Sequence, residues 1–334
     1  MNRVQFGDCR DTMRVWAAAG VKAQMCVTSP PYFGLRDYGH DGQIGLEATP
    51  DAFVDALVEV FRCVRDVLAD DGVLWLNIGD SYARTGGTDR KVSASAKVGS
   101  TRNTMEQMSD RTSNASALGL KGKDLIGIPW MLAFALRSDG WFLRQDIIWH
   151  KPNPMPESVT DRCTKAHEYI FLLSKSERYF YDHEAVKETA SKGAAGSDFH
   201  TGKTGEHQLG RASTKPRKQD STNKSFVPGA TEHGGLHRED SEREPETRNK
   251  RSVWTVPTSP YKGAHFATFP PALIEPCILA GSRHGDVVLD PFFGSGTTGM
   301  VAQNLGRRWL GCELNPAYGP LQDERLAQQG LEFA

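Results

Sequence analysis

A short polar and aromatic segment near the start of the chain has the composition of a pocket for a planar amine or amide. Residues 28–32 (TSPPY) follow an apolar run at 23–27 that is typical of a buried strand. Two consecutive prolines prevent the strand from continuing, so we expect a stiff, extended turn. The Ser29 hydroxyl and the carbonyls of Ser29 and Pro30 can accept both hydrogens of an exocyclic amino group, while Tyr32 offers an aromatic face. The alternative from these residues alone is a proline-rich turn beside a core tyrosine.

A second segment, near the end of the chain, has the composition of a nucleoside pocket. Residues 290–299 (DPFFGSGTTG) follow a strand pattern and open a helix pattern, and their glycines let the backbone approach a ligand. The next predicted strand ends at Glu313, about 20 residues on, where a carboxylate commonly binds ribose hydroxyls. The GxGxxG spacing also fits a dinucleotide-dependent oxidoreductase. That alternative has little room, because only residues 300–334 follow Gly299.

Together the two segments resemble the S-adenosylmethionine-dependent DNA amino-methyltransferases, which methylate an exocyclic nitrogen of a base. Residues 29–32 (SPPY) match the catalytic motif of that family, and residues 290–296 (DPFFGSG) match its cofactor motif. The catalytic motif comes first, which is the circularly permuted order of the β class. The resemblance covers roughly residues 1–82, 125–190 and 253–334. It implies an α/β fold with a doubly wound, mostly parallel seven-stranded sheet, the Rossmann-like fold of methyltransferases, with long inserted loops.

The resemblance also implies two sets of site residues, with S-adenosyl-L-methionine as the cofactor, and no metal is expected because the histidines follow no ligand spacing. The catalytic set is Ser29, Pro30, Pro31 and Tyr32. The cofactor-binding set is Asp8, His265, Thr268, Phe269, Asp290, Pro291, Phe292, Gly294, Ser295, Gly296, Thr297, Thr298, Glu313 and Asn315. Within it, Asp8 resembles the acidic contact to the adenine, and residues 265–270 resemble the segment that packs on the cofactor. Residues 149–152 and Asp80 are expected near the pocket without an assigned role.

The implied reaction is methyl transfer to the amino nitrogen of a flipped adenine or cytosine stacked on Tyr32. Serine at the first motif position is more frequent in members that modify cytosine N4, and aspartate in those that modify adenine N6, but the target base stays open. Methylation of a ring carbon would need a cysteine nucleophile. Cys277 follows a proline but lies in an apolar helix pattern, so we interpret it as a buried structural thiol.

The elements that must position these residues alternate between strand and helix patterns. Strands are predicted at 3–6, 23–27, 73–78, 142–150, 167–174, 286–290 and 308–313, and helices at 51–69, 128–137, 270–280, 297–305 and from 316. This alternation predicts a mostly parallel sheet covered on both faces. Asp8, Ser29, Asp290 and Glu313 each lie at the carboxyl end of a predicted strand, so we expect them to line one crevice.

Two polar segments interrupt this alternation and define the expected organisation of the chain. Residues 1–84 and 124–190 form the catalytic half, and residues 253–334 form the cofactor-binding half. The inserts 85–123 and 191–252 are either disordered or DNA-contacting loops, the second being the candidate target-recognition region.

Composition narrows the function classes further. The chain is 38% apolar and 24% charged with a net charge of −1, and its six cysteines include no CxxC pair, which is typical of reduced thiols in a cytoplasmic protein. No signal peptide or membrane span is apparent. We therefore expect no membrane partner, while the resemblance implies double-stranded DNA as a partner and leaves a homodimer open. A methyltransferase acting on RNA or a protein amide, and a non-enzymatic DNA-binding protein on the same frame, are the alternatives.

Overall fold

The computed structural model describes residues 2–35, 37, 39–40, 42–83, 115, 119–190, 247–258 and 269–327. The chain divides into two units, one formed by Met1–Val186 and Asn249–Ala334 and the other by Lys187–Arg248. In the second unit, the described residues form an antiparallel pair of strands, β6 (Glu188–Thr189) and β7 (Thr247–Arg248), joined by an ion pair between Arg248 and Glu188. Most of the two predicted inserts lies outside the described residues.

The first unit contains one sheet with helices on both faces. Its strands are β1 (Arg3–Phe6), β2 (Ala23–Thr28), β3 (Leu68–Ile78), β4 (Phe142–His150), β5 (His167–Ser174), β8 (Val253–Thr255), β9 (Val287–Asp290) and β10 (Arg308–Glu313). Its helices are α1 (Cys9–Ala18), α2 (Pro50–Val67), α3 (Ile128–Ser138), α4 (Pro271–Gly281), α5 (Thr297–Asn304) and α6 (Gly319–Ala327), with a 3₁₀ turn at Pro316–Tyr318. None of the described helices is both long and apolar enough to cross a membrane.

The strand order is β1-β10-β9-β2-β3-β5-β4-β8, and among these described strands β5 alone runs antiparallel to the rest. The predicted doubly wound, mostly parallel α/β fold is therefore confirmed. The sheet has eight strands rather than seven, because β8 adds a three-residue edge strand beside β4. Its central residue, Trp254, is buried against Trp75, with ring centroids 6.2 Å apart. Strand β8 was not predicted because three residues are too few to show the alternation of apolar and polar side chains that identifies a strand.

Side-chain alternation along the central strands builds two cores. In β3, Leu74 and Leu76 face the core beneath α1, α2 and α3, whereas Val73 and Trp75 face the core beneath α4 and α5. Because successive strand residues point to opposite faces, a strand that is apolar throughout has to be covered on both sides. The unbroken apolar runs in the sequence therefore lead directly to a three-layer architecture.

Two helix predictions need correction. Helix α1 was not predicted, although Asp8 caps its N-terminus by accepting a hydrogen bond from the Arg10 amide at 2.7 Å. Helix α2 ends at Val67, and β3 begins at Leu68 instead of at residue 73. The chain has to enter the sheet early because Leu68, which is fully buried, pairs with Ala23 of β2.

The glycine segment after β9 is shaped by the ring of Phe293. A Cβ atom on Gly299 would lie 2.6 Å from that ring, and one on Gly311 of β10 would lie 2.4 Å from it. Phe293 is buried between α5 and β10 only because both positions lack a side chain. At position 296 glycine is required by the backbone rather than by packing, because its φ of +86° lies in the left-handed region, just before α5 begins.

The parallel strands bring distant residues to one edge of the sheet. Asp8 follows β1, Ser29 follows β2, Asp290 ends β9 and Glu313 ends β10. Because β5 runs the other way, its amino end, with Glu168, reaches the same edge. This edge carries the candidate site.

Candidate active site

The catalytic and glycine segments line one cavity of about 1000 Å³. Tyr32 and Gly294 both face it, as the strand-end argument predicts. The predicted site residues that line the cavity are Asp8, Ser29, Pro30, Pro31, Tyr32, Phe269, Asp290, Pro291, Phe292, Gly294, Ser295, Thr297, Glu313 and Asn315. Gly296 and Thr298 lie behind the wall, and His265 and Thr268 fall outside the described residues. The roles of all these residues stay predictions.

The Tyr32 side chain is held at both its ring and its hydroxyl. The hydroxyl donates a hydrogen bond to Glu168 Oε2 at 2.7 Å. The ring passes so close to Gly79 that a Cβ atom there would lie 2.7 Å from Tyr32 Cε2. The Asn77 side-chain amide binds the same carboxylate, since it donates to Glu168 Oε2 at 3.3 Å and also to the Tyr169 carbonyl at 3.1 Å. The aromatic face is therefore fixed before any ligand binds.

A largely buried ion pair supports that arrangement. Lys151 donates to Glu168 Oε1, the oxygen that Tyr32 does not use, and the two side chains are only 18% and 15% exposed. The Lys151 ammonium also lies 4.2 Å from the centre of the Trp149 ring. Both charged residues line the cavity. The sequence indicated the vicinity of Lys151 but missed Glu168, because its place at the site depends on the antiparallel direction of β5.

Asp290 joins the two halves of the cavity wall. Its carboxylate accepts hydrogen bonds from the hydroxyls of Thr28 and Thr298, both at 2.6 Å, and from the Phe292 amide at 3.0 Å. The residue is 2% exposed, and burial raises the pKa of its carboxyl to about 6. The end of β2 and the glycine segment are thus fixed to each other through this one side chain.

Glu313 holds the glycine segment and still has acceptor capacity. Its carboxylate accepts hydrogen bonds from the amides of Gly294 and Asn315, one at each oxygen and both at 2.8 Å. Each carboxylate oxygen has a second acceptor site, which a ligand hydroxyl can use. Burial raises the pKa of the Glu313 carboxyl to about 7, with repulsion from Asp290 as a smaller contribution.

The last helix, α6, supports the glycine segment from behind. Gln322 donates to the Gly294 carbonyl at 2.7 Å, and the buried Arg325 donates to the Ser295 hydroxyl at 2.6 Å. Neither residue was identified from the sequence, because the helix pattern gave no indication of which face meets the loop.

At the end of the first strand, Asp8 caps helix α1 and also faces the cavity. Its carboxylate accepts a hydrogen bond from the Arg10 guanidinium at 2.6 Å, and this bond holds the pKa of the Asp8 carboxyl below its usual value. The carboxylate is therefore ionised at neutral pH and remains an acceptor at the cavity wall.

Two other residues considered from the sequence make structural contacts, and one of them, Asp80, also lines the cavity as expected. The Asp80 carboxylate accepts from the amides of Gly127 and Ile128 at 3.0 and 3.2 Å, so it caps the N-terminus of α3. Cys277 is buried inside α4 and does not line the cavity. Burial raises the pKa of the Cys277 thiol, which favours the unreactive protonated form and agrees with its interpretation as a structural residue.

The cavity fits a nucleoside cofactor together with a base. Its volume lies at the upper end of the range for small-molecule sites. One side offers a carboxylate and glycine backbone next to the start of α5, and the other offers prolines and an aromatic ring. The first set suits the ribose and the amino-acid portion of S-adenosylmethionine, and the second suits a planar base.

Comparison with known proteins gives concordant results. A family model described as DNA methylase, of the N6/N4 methyltransferase type, matches residues 23–322. The chain is 44% identical over 330 residues to the type II methyltransferase M.SmaI of Serratia marcescens, covering 98% of this chain and 91% of that protein. It is 46% identical over 320 residues to the type II methyltransferase M.Cfr9I of Citrobacter freundii, covering 96% and 86%.

Two solved structures share the fold. The putative DNA modification methylase TTHA0409 of Thermus thermophilus, in complex with S-adenosyl-L-methionine, has a TM-score of 0.54 at 24% identity and covers 100% of this chain and 96% of that one. The PvuII DNA methyltransferase, described as cytosine-N4-specific, has a TM-score of 0.57 at 17% identity, and the match covers 97% of this chain and 86% of that one.

Proposed function

The chain belongs to the N6/N4 DNA methylase family, whose members use S-adenosylmethionine to methylate an exocyclic amino nitrogen of DNA, and we propose that this enzyme's target is N4 of a cytosine flipped out of double-stranded DNA. The observation that carries the proposal is the shared cavity, with the SPPY segment on one side and the glycine segment on the other. A paired base is inaccessible to such a recessed site, so the base has to leave the duplex.

The choice of cytosine rests on Ser29 and Lys151. Ser29 is a neutral acceptor at the position where family members that modify adenine more often carry aspartate. Cytosine presents the O2 carbonyl on the edge that adjoins its amino group and N3, whereas adenine has only a C–H at the matching position. Lys151 has three N–H donors, and after its bond to Glu168 it can donate to that carbonyl. An adenine in the same place would present a C–H to this ammonium where cytosine presents its O2 carbonyl.

The SPPY segment prepares the amino nitrogen for methyl transfer. The Ser29 hydroxyl or carbonyl and the Pro30 carbonyl accept its two hydrogens, which directs the nitrogen lone pair toward the glycine segment. Bound S-adenosylmethionine supplies a methyl group activated by the positive sulfur. Stacking on Tyr32 contributes about 1–3 kcal/mol to base capture, and alignment of the reacting groups lowers the barrier by about 7–11 kcal/mol. Glu168 acts as a positioning residue, because it holds the Tyr32 hydroxyl.

The glycine segment and the strand ends beside it hold the cofactor. Glu313 accepts hydrogen bonds from the ribose hydroxyls, Asp8 accepts one from the adenine amino group, and the start of α5 receives the carboxylate of the methionine portion. Asp290 contributes indirectly, since its oxygens are already engaged by Thr28, Thr298 and the Phe292 amide.

Replacing Tyr32 by alanine separates base capture from cofactor binding. We expect kcat/KM for DNA methylation to fall about 10- to 100-fold, because stacking is lost, while calorimetry gives an S-adenosylmethionine affinity within about twofold of wild type. Glu324→Gln, at an exposed position of α6, serves as the control and should change neither quantity. An equal loss of kcat/KM and of S-adenosylmethionine affinity in the alanine variant would contradict the stacking role.

Mass spectrometry of nucleosides identifies the target. After incubation with labelled S-adenosylmethionine, the label should appear in N4-methylcytosine from duplex DNA. Label in N6-methyladenine would contradict the choice of base, and label in RNA or protein instead of DNA would contradict the substrate. A homodimer and a cytoplasmic location remain predictions; light scattering of the purified protein measures the first and cell fractionation the second.

A further inference from the structure

An exposed methionine projects at the rim of the cavity. Met155 lies in the segment after β4 (residues 151–157, KPNPMPE), lines the cavity, and is 85% exposed. It is the most exposed large apolar side chain among the described residues; the next, Val15 on α1, is 67% exposed and lies away from the cavity. Exposure alone is ordinary for a single apolar residue, but this one lies at the entrance to the cavity, where a ligand that enters the cavity has to pass it.

The segment that carries Met155 is firmly anchored on both sides. Asn153 exchanges two hydrogen bonds with the backbone of Thr258, at 2.9 and 3.3 Å. Glu157 accepts a hydrogen bond from the Arg162 guanidinium at 2.7 Å. Met155 itself has a proline on each side, which restricts its backbone to extended conformations. The projection is therefore a built feature of the surface and is already in place before DNA binds.

The position and the chemistry of Met155 match one requirement of base flipping. A base that leaves the duplex leaves a gap in the stack, and the energy of unstacking opposes its departure. Proteins that deform DNA commonly insert an apolar side chain such as methionine between base steps. A methionine side chain is unbranched and polarisable, so it adapts to the irregular space between bases.

We propose that Met155 enters the DNA stack and fills the space vacated by the target base. The inference rests on the proposed function, because it assumes that the base leaves the duplex for the cavity. It adds a DNA contact that belongs to neither the SPPY segment nor the glycine segment. Among the described residues, Leu35 is the other large, exposed apolar side chain that lines the cavity, and it is less exposed, at 53%.

The test compares kcat/KM on two duplexes that contain a methylation site mapped with the wild-type enzyme. In one the target base is correctly paired, and in the other it is mispaired, so that flipping meets less resistance. Met155→Ala should lower methylation of the paired duplex about tenfold or more and leave the mispaired duplex within about twofold of wild type. Met155→Leu should restore activity on the paired duplex, and Val15→Ala is the control for loss of an exposed apolar group.

Three results would overturn the proposal: unchanged activity of Met155→Ala on the paired duplex, an equal loss on both duplexes, or a selective loss in Leu35→Ala but not in Met155→Ala. Calorimetric affinity for S-adenosylmethionine verifies that each variant is folded. The identity of the methylated nucleoside is determined in the same samples, so a failure of the cytosine assignment is distinguished from a failure of the Met155 assignment.

Discussion

Glu313 gives the affinity for S-adenosylmethionine a pH dependence that can be measured near neutrality. Its carboxyl is buried beside the glycine segment, and burial raises its pKa to about 7. If the carboxylate accepts hydrogen bonds from the ribose hydroxyls, the cofactor binds the ionised form better than the protonated form. Binding should therefore weaken as the pH falls through 7, and it should be accompanied by the release of protons.

The magnitude follows from the fraction of ionised carboxyl in the free enzyme. With a pKa of about 7, roughly nine in ten molecules are ionised at pH 8 and one in ten at pH 6. The apparent Kd should rise about tenfold between pH 8 and pH 6 if only the ionised form binds. In Glu313→Gln this rise should disappear, and the affinity at pH 8 should fall at least about tenfold with the loss of the charged acceptor.

Isothermal titration calorimetry at pH 6 to 8.5, in buffers of different ionisation enthalpy, measures both the affinity and the protons released. Glu324→Gln, an exposed substitution of the same chemistry, should behave as wild type, and any pH dependence left in Glu313→Gln measures titration of the cofactor's own amino group. A Kd that is constant over this range, or an equal rise in Glu313→Gln, would refute the assignment of Glu313 to the ribose.

Three further predictions concern the packing that positions the site. Thr28→Val removes a buried hydrogen bond to Asp290 and should lower the free energy of unfolding by about 1–3 kcal/mol, measured by urea denaturation, together with kcat; an unchanged kcat would show that the link does not position the catalytic segment. Gly311→Ala places a Cβ atom 2.4 Å from the Phe293 ring and should cost about 1–3 kcal/mol of stability, so an unchanged melting temperature would contradict the packing described. The pKa of the Asp290 carboxyl is raised to about 6 in the folded state, whereas in the unfolded state it has its ordinary value near 4. Between these two values the folded protein holds a proton that the unfolded chain has released. The contribution of Asp290 to stability is therefore present at low pH and is lost as the pH rises from about 4 to 6. The stability of Asp290→Asn relative to wild type should accordingly increase over that interval, by on the order of 3 kcal/mol in chemical denaturation, and a constant difference would contradict the raised pKa.

Most of the sheet could be predicted from the sequence because its strands are short apolar runs that end at glycine, proline or acidic residues. These strand-ending residues also place Ser29, Asp290 and Glu313 at the carboxyl ends of strands, and parallel pairing then brings those ends together. The sequence did not reveal in which direction each strand runs or which side chains contact each other across the sheet. Glu168 reaches Tyr32 only because β5 is antiparallel, and strand patterns carry no sign of direction.

The role of Asp290 was concealed for a related reason. Its position after a strand and before glycines predicts a ligand contact, yet its carboxylate is buried and accepts a hydrogen bond from Thr28, which is 262 residues away in sequence. Contacts over such separations arise from the assembled sheet and leave no local pattern. Helix α1 was missed because its buried residues, Cys9, Met13 and Trp16, form only a narrow stripe in a segment with many polar residues.

The central claim is that the SPPY segment holds the target base while the glycine segment holds the cofactor in the same cavity. A crystal structure of the enzyme with its duplex site and a non-reactive analogue of S-adenosylmethionine tests this claim most directly. We predict a flipped cytosine stacked on Tyr32, with N4 about 2.9 Å from an acceptor of Ser29 or Pro30 and facing the analogue. A target base that remains in the duplex, or that binds away from Tyr32 while the analogue occupies the glycine segment, would contradict it.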